Sequence, residues 1–443
     1  MEVQVPAQQL QIGMFVARLD RPWLDTPFLM QGFLIEDEET LSQVRRHCAV
    51  ATVESGLSRA GLFPDPSAAQ IRLETPARGP VPLRMEVVEE AVVEERARRS
   101  LLDAVREFFR RARRKDAAAE REPILYEDLR AFREELPAAR EAQAKALDVV
   151  RNFLDHVGKG AFPDMEQVTM AVTLVVESMV RNPSAMLWLS TLKERGGYLY
   201  AHAVDSAIYM VAFGRQLGFT QQELVVLGTA GMMMDVGKLK LPRSLLAAPG
   251  DLDEDQRAKV RRHVKEGVRM LMVSEGVPEG VVDIVARHHE RFDGSGYPEG
   301  LRAEEIGMYA TMAGIVDTFT AIIGHRPHAK ARPISDALRV LGQLRGTLFH
   351  DAMVDQFIQC IGIYPVGSVV ELSTGDVGIV VEVNRTRRLK PKVMLVLAPD
   401  KQPYRKPMDL DLATDPKVGD AGITIRRELP PGAHGLRHSD YFL

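Results

Sequence analysis

The sequence predicts a mainly α protein. A helical bundle carries the chemistry, a small α/β or β-rich domain precedes it, and a small β appendage follows. Three observations lead there. Between about 186 and 360 the chain is a succession of apolar, helix-length segments separated by capping residues and glycines. Residues 1–75 instead alternate apolar and polar residues over short stretches. Residues 367–399 are rich in β-branched residues around a Ser-Thr-Gly-Asp turn.

In chain order, VQVPAQQLQIGMFVARLD alternates in polarity, and Gly13 sits where a bend breaks the pattern. Residues 38–46 predict a short helix and residues 51–54 a returning strand. Proline and small residues fill 64–83, a linker by composition. Residues 84–115 are charged, proline-free and periodic. Val87, Val88, Ala91, Val92, Leu101, Leu102, Val105 and Phe108 fall near the roughly 3.5-residue spacing of an amphipathic helix. Such a helix packs on its own domain or pairs with a second copy as a homodimer; the spacing serves both. The basic run RRARRK at 110–115 reads as a solvated helix end, because acidic residues flank it. Residues 124–182 carry further helical patterning.

The bundle is punctuated more sharply. One helix runs through His202–Gln216 and stops at Gly218, a natural residue beyond a helix C-terminus. Thr220-Gln-Gln-Glu223 is a capping-box signature for the next helix, which carries Leu224–Met234 and ends near Gly237 and Pro242. Asp253 is a suitable N-cap for a helix through His263. Another helix leads into Arg287-His288-His289, and one spans about Met308–Ile323. The segment 367–384 then predicts a hairpin and 392–399 a third strand. The expected domains are therefore 1–75 (a small N-terminal regulatory domain), 76–185 (linker and charged helical connector), 186–360 (helical domain) and 361–443 (small β segment and tail).

Composition sets outer bounds. At about 100–200 residues per domain, 443 residues make two to four domains, and 45% hydrophobic residues suffice for a sizeable core. With 57 basic and 61 acidic residues the net charge is −4, which argues against a nucleic-acid or membrane-surface binder. Two cysteines, Cys48 and Cys360, make neither a disulfide framework nor a Cys-based zinc site, and fit a reducing cytoplasm. There is no signal-peptide pattern at the N-terminus, and apolar runs such as Met170–Val176 fall short of a bilayer span.

Several of the 11 histidines gather between residues 202 and 328. Together with acids, five positions stand out: His202, Asp235, His263, the pair His288-His289, and Asp317. Imidazole and carboxylate together suit Fe, Mn or Zn, and a shared carboxylate suits two ions. These residues lie on separate predicted helices, as in a site built inside a bundle. Adjacent histidines project about 100° apart on a helix, so His288 and His289 reach different coordination positions most easily at a helix end. Gly294 and Gly296 place such an end there.

The segment His288-His289-Glu290-Arg291-Phe292-Asp293-Gly294-Ser295-Gly296-Tyr297-Pro298 is long and specific. It resembles the GYP signature of the HD-GYP family of cyclic di-GMP phosphodiesterases. The resemblance extends over about 198–360 through Asp235-Val-Gly-Lys238, Leu241-Pro242, Pro249-Gly250, His263, Gly300-Leu301, Ile306, Val316-Asp317 and Arg326-Pro327. Gly13-Met14-Phe15-Val16, Asp20, Trp23-Leu24 and Pro27-Phe28 resemble an uncharacterised domain often found ahead of such proteins. The stretch from Tyr364-Pro365-Val366-Gly367 to Pro391-Lys392 resembles the β segment that ends them.

The resemblance implies an HD-type helical bundle and two divalent metals, Fe or Mn. The first would be held by His202, the histidine of a His-Asp pair, Asp235 and Asp317. Asp235 would bridge to a second metal held by His263, His288 and His289. Lys238 would lie near the scissile phosphate, Arg326 would contact phosphate or guanine, and Tyr297 would help shape the nucleotide pocket. The implied chemistry is two-metal hydrolysis of cyclic di-GMP to pGpG, and in some members on to GMP.

One departure matters most. The name-giving His-Asp pair is here Met234-Asp235, and a thioether is a soft, uncharged ligand poorly matched to Fe(II) or Mn(II). Thr320 stands where the family has a second aspartate, His328 and Ala329 follow Arg326-Pro327 in place of the usual residues, and Tyr198 is not the glutamate that some members use for a third metal. Two readings result. One is a phosphodiesterase whose first metal site is weakened or empty. The other is an inactive module that binds cyclic di-GMP, or a partner protein at the GYP surface, as a sensor or scaffold.

Overall fold

The computed structural model describes residues 2–19, 33–35, 38–54, 123–158, 164–192, 198–246, 252–324, 332–384, 387–416, 418, 422–430, 432–436 and 438–441. The linker at 64–83, the connector helix expected over 84–115, Asp20, Trp23-Leu24, Pro27-Phe28, Pro249-Gly250 and the Arg326–Ala329 stretch lie outside these residues. The chain divides into two compact units, 1–104 and 105–443.

In the first unit, β1 (Glu2–Pro6), β2 (Phe15–Leu19), β3 (Phe33–Leu34) and β4 (Val50–Glu54) form an antiparallel sheet in the order β1-β4-β2-β3, with α1 (Glu38–His47) between β3 and β4 in the chain. Gly13 takes a positive φ of 95°, which turns the chain into β2. Leu10, Val16, Ile35, Val44, Ala51 and Val53 are buried together, so the alternation of the sequence becomes a one-sided core.

The second unit is a helical bundle with a terminal sheet. Its helices are α2 (Phe132–Gly158), α3 (Met165–Arg181), α4 (Pro183–Thr191), α5 (Tyr198–Gln216), α6 (Gln221–Met233), α7 (Arg243–Leu246), α8 (Glu254–Met272), α9 (Val281–Arg287), α10 (Met308–Ile323), α11 (Ile334–Gln343) and α12 (Asp351–Ile361). The caps are built as the residues dictate. Thr220 with Glu223, and Asp253 with Gln256, close full capping boxes on α6 and α8. Asn182 caps α4, with Pro183 at its first turn. Gly218 takes a φ of +76° beyond α5 and packs so tightly on Pro123 and Ile124 that a side chain would collide with both.

α2 and α3 pack on each other, and α3 packs on α6. Glu135 of α2 is fully buried and accepts two hydrogen bonds from Arg181 of α3, at 2.8 and 2.9 Å. A carboxylate removed from water needs such a bidentate partner. Deeper in the bundle, Tyr209, Phe213, Phe319 and Phe357 are almost fully buried and meet edge to face, with centroids 4.9–5.2 Å apart. This aromatic block joins α5, α10 and α12, and α5 and α10 carry two of the acid and histidine candidates.

The terminal sheet has five antiparallel strands in the order β8-β7-β6-β5-β9: β5 (Val369–Leu372), β6 (Val377–Glu382), β7 (Lys392–Leu397), β8 (Pro403–Asp411) and β9 (Ile425–Leu429). The sequence pattern yields only the first three. β8 and β9 are edge strands with mostly exposed or half-exposed residues, so they carry little apolar signal. No helix among the described residues is long and apolar enough to cross a membrane. Cys48 is buried and its Sγ–H donates to the Val44 carbonyl at 2.9 Å.

Candidate metal centre

Six candidates from five segments converge in the bundle. His202 comes from α5, Asp235 from the junction between α6 and a 3-10 turn at Val236–Lys240, His263 from α8, His288 and His289 from the end of α9, and Asp317 from α10. α9 stops at Arg287 with His288 as its C-cap, which lets the two adjacent imidazoles enter one site by different routes.

Asp235 is the centre of the arrangement. Its Oδ2 lies 3.3 Å from His202 Nε2 and 2.5 Å from Lys238 Nζ, while its Oδ1 lies 3.4 Å from His263 Nε2. His202 Nε2 is also 3.3 Å from Asp317 Oδ1. On the other side His263 Nε2 approaches His289 Nε2 at 3.2 Å, and His288 and His289 have ring centroids 4.1 Å apart. Two ligand groups share Asp235: Asp235, His263, His288 and His289, and separately His202, Asp235 and Asp317, each with its ligand atoms within 4.8 Å of one another. A carboxylate presenting one oxygen to each group is the bridge that a pair of ions needs.

The imidazoles are oriented for this. His263 Nδ1–H donates to the Val260 carbonyl and His288 Nδ1–H to the Val285 carbonyl, each at 2.7 Å. A carbonyl only accepts, so the proton sits on Nδ1 and the Nε2 lone pair faces the cluster. His288 Nε2 is fully buried with no hydrogen-bond partner, a costly state for a polar atom unless a cation takes its lone pair. Burial and the neighbouring imidazole of His263 push His288 down to about 4, so it is neutral at pH 7. His289 is also lowered, by burial and by His288. Neutral nitrogens and ionised carboxylates are the forms that bind divalent metal, so the donor set fits one.

His202 behaves differently. Burial pulls it down, but the carboxylates of Asp235 and Asp317 beside its Nε2 outweigh this and raise it to about 8. With metal chelated, the charged His202 therefore stabilises the fold fully below its unfolded value, about 6.5, and the contribution is lost as pH rises through about 8. The depressed histidines act in the opposite sense, costing stability as pH falls below 6.5. Thermal melts of chelated protein are expected to peak near pH 6.5 and to lose about 2 kcal/mol by the time His202 is neutral. Metal-loaded protein should lose this alkaline fall, because metal takes the proton's place; a chelated protein that gains stability through pH 8 would contradict the arrangement.

Glycine makes the approach of the elements feasible. A Cβ on Gly237 would lie well inside contact distance of the His263 carbonyl oxygen and of the Gly267 backbone nitrogen. The Asp235-Val-Gly-Lys238 turn thus rests backbone to backbone on α8, which sets Asp235 against His263. Gly237→Ala is expected to cost about 1–3 kcal/mol or more and to lower metal affinity, checked by melting and metal titration of the same samples.

The GYP segment wraps the open side. Tyr297 stacks on His289 with centroids 4.6 Å apart and planes 24° off parallel. Glu290, buried at the base, accepts from the Glu299 and Leu301 backbone N–H groups at 2.7 and 2.9 Å and so holds the loop closed. Arg291 donates to the His288 and Glu290 carbonyls and lies over Phe349. Neither role is visible in the sequence, where both residues are merely charged positions beside two histidines. Met234 is fully buried, as are Met232 and Met233. Thr320 donates to the Val316 carbonyl at 2.8 Å and lies 3.3 Å from the Ser206 hydroxyl, so it links α10 to α5. Arg326 is outside the described residues.

A buried, two-lobed His/Asp site inside a helical bundle, with a lysine on the shared carboxylate, defines a metal-dependent phosphoester hydrolase of the HD type. Comparison with known proteins gives the family. An HD domain matches residues 189–354, a domain of unknown function (DUF3391) residues 2–168, and a KOW domain associated with HD domains residues 369–419. The cyclic di-GMP phosphodiesterase PA4108 of Pseudomonas aeruginosa is 32% identical over 393 residues, which cover 88% of this chain and 84% of that protein. The cyclic di-GMP phosphodiesterase response regulator RpfG of Xanthomonas campestris pv. campestris is 37% identical over 146 residues, 32% of this chain and 38% of that one. The 3'3'-cGAMP-specific phosphodiesterase 3 of Vibrio cholerae is 30% identical over 144 residues, 32% and 31% of the two chains. The chain belongs to the HD-GYP family of metal-dependent phosphodiesterases.

Proposed function

We propose that this protein hydrolyses cyclic di-GMP to pGpG, and on to GMP, in the cytoplasm, using Fe or Mn. The single observation that carries the reading is the complete second ligand group: Asp235, His263, His288 and His289 with ligand atoms within 4.8 Å, beside an intact GYP segment. A count of only two cysteines fits a reducing compartment.

When bound, the metals supply a hydroxide at neutral pH and neutralise charge that develops on phosphorus. The chain's own residues do the rest. His263, His288 and His289 would hold the second metal, with Asp235 shared between the two ligand groups. Asp235 is held far below the usual carboxylate range because Lys238 and the histidines outweigh its burial, so it stays ionised. Lys238, half-exposed beside Asp235, is placed to meet a phosphate oxygen. Tyr297 and the Glu290-anchored loop wall the pocket, and Arg326 serves as a phosphate or guanine contact.

The first metal is the weak point. His202, Asp235 and Asp317 supply three ligands where the family supplies four, because residue 234 is methionine. We place this site as the weaker of the two. Loss of partners one shell further out typically costs about 10–100-fold in metal affinity or activity, and loss of a direct ligand costs at least as much. A second reading rests on that same methionine: a sensor or scaffold that binds cyclic di-GMP, or a partner protein at the GYP surface, without turnover. The test is turnover and binding of cyclic di-GMP by protein purified without oxygen and loaded with Fe(II) or Mn(II). Release of pGpG supports the enzyme; tight binding without release supports the sensor. Dimerisation through 84–115 is part of the proposal and rests on its heptad-like spacing alone.

A further inference from the structure

We propose that Arg261 is a substrate-binding residue that grips the second phosphodiester of the cyclic dinucleotide while the first lies over the metal cluster. This rests on the phosphodiesterase reading above and adds a residue to it. Arg261 lies on α8 two residues before His263 and is exposed. Its guanidinium carbon sits 5.2 Å from the centroid of the Tyr297 ring. That ring stacks on His289, and His289 Nε2 lies 3.2 Å from His263 Nε2. Arg261, Tyr297, His289 and His263 are thus a continuous path from solvent to the metal ligands.

What distinguishes Arg261 from the other basic residues of α8 is its aromatic partner. Arg257 pairs with Glu254 at 3.8 Å and Arg269 with Glu266 at 2.7 Å. Among the described residues Arg261 has no carboxylate within 4.0 Å; its contact is the tyrosine face. A guanidinium held on an aromatic face is positioned without being neutralised. It keeps its planar fork of donors for two oxygens of one phosphate. Cyclic di-GMP carries two phosphodiesters, and the cluster with Lys238 accounts for one. The rim cation beside Tyr297 accounts for the other.

The experiment compares two substrates on metal-loaded full-length protein. Cyclic di-GMP has two phosphodiesters, and bis(p-nitrophenyl) phosphate has one. Arg261→Ala is expected to raise KM for cyclic di-GMP about 10-fold, with kcat changed less than about twofold. Its kinetics on bis(p-nitrophenyl) phosphate should stay at the wild-type level, and Arg261→Lys should restore only part of the loss. Arg262→Ala, the neighbouring exposed arginine, should match wild type on both substrates. Equal losses on both substrates, or a KM for cyclic di-GMP within twofold of wild type, would overturn the assignment. Equilibrium dialysis with cyclic di-GMP separates this from the parent reading. Binding weakened about 10-fold in Arg261→Ala, with no turnover by wild type, upholds Arg261 and sinks the enzyme. Turnover and binding that are both indifferent to Arg261 sink the inference alone, and a wild type that neither binds nor hydrolyses sinks both.

Discussion

His263→Ala is expected to lower turnover of cyclic di-GMP by more than about 100-fold and to remove close to one metal per protein. His263 is nearly fully buried, and its Nε2 is the imidazole atom that faces Asp235 Oδ1 from the second-metal side. Its Nδ1 is already committed to the Val260 carbonyl, so no other tautomer competes. Truncation removes one of three rings that pack on His289 and leaves the shared carboxylate with one basic neighbour fewer. His263→Gln keeps volume and polarity and guards against simple misfolding; it should melt close to wild type and still lose metal. Unchanged metal content in both variants would mean that His263 is not a ligand.

Met234→His should act in the opposite direction and raise turnover about 10–100-fold. Met234 precedes Asp235 at the end of α6 and is fully buried, so the substitution exchanges one apolar side chain for an imidazole beside an existing ligand group. His202, Asp235 and Asp317 already converge there within 4.8 Å. A fourth ligand, an imidazole nitrogen, would complete the set with a donor matched to Fe(II) or Mn(II), where the thioether is not. The gain should appear together with a rise in metal content at low metal concentration. Activity and metal content both unchanged would show that Met234 is core filler continuous with Met232 and Met233, and that the missing ligand is not the limiting defect.

Much of this was legible in the residues. Capping residues are local chemistry, so Thr220 and Asp253 mark the starts of α6 and α8, and Gly218 the end of α5. The six His and Asp candidates stand out because such residues seldom recur on apolar helices without a cause, and the structure brings all six together. What stayed hidden depends on distant contacts. Nothing near Gly237 announces that α8 passes against its α-carbon, and nothing near Glu290 announces the two backbone N–H groups that fold back onto it nine and eleven residues later. Arg261 looks like one more charge on a solvated helix until Tyr297 is placed beneath it. Strands β8 and β9 are hard to read for a related reason: edge strands whose residues are mostly exposed or half-exposed have no apolar alternation.

Thr320 shows how a departure at the site acquires a local role. Its hydroxyl is spent on the Val316 carbonyl and on Ser206, so it joins two ligand-bearing helices without adding a carboxylate to an already acidic site. With Asp235 and Asp317 both ionised and both facing His202, a third acid there would need a further cation.

The most direct test of the central claim, a phosphodiesterase with one complete metal site and one short of a ligand, is metal analysis coupled to product analysis. Protein is purified without oxygen, loaded with Fe(II) or Mn(II), and dialysed against falling metal concentrations while pGpG release from cyclic di-GMP is followed. Two metals of unequal affinity, with turnover lost as the weaker one leaves, is the expected result. Two metals lost together, or full occupancy with no pGpG, would contradict it.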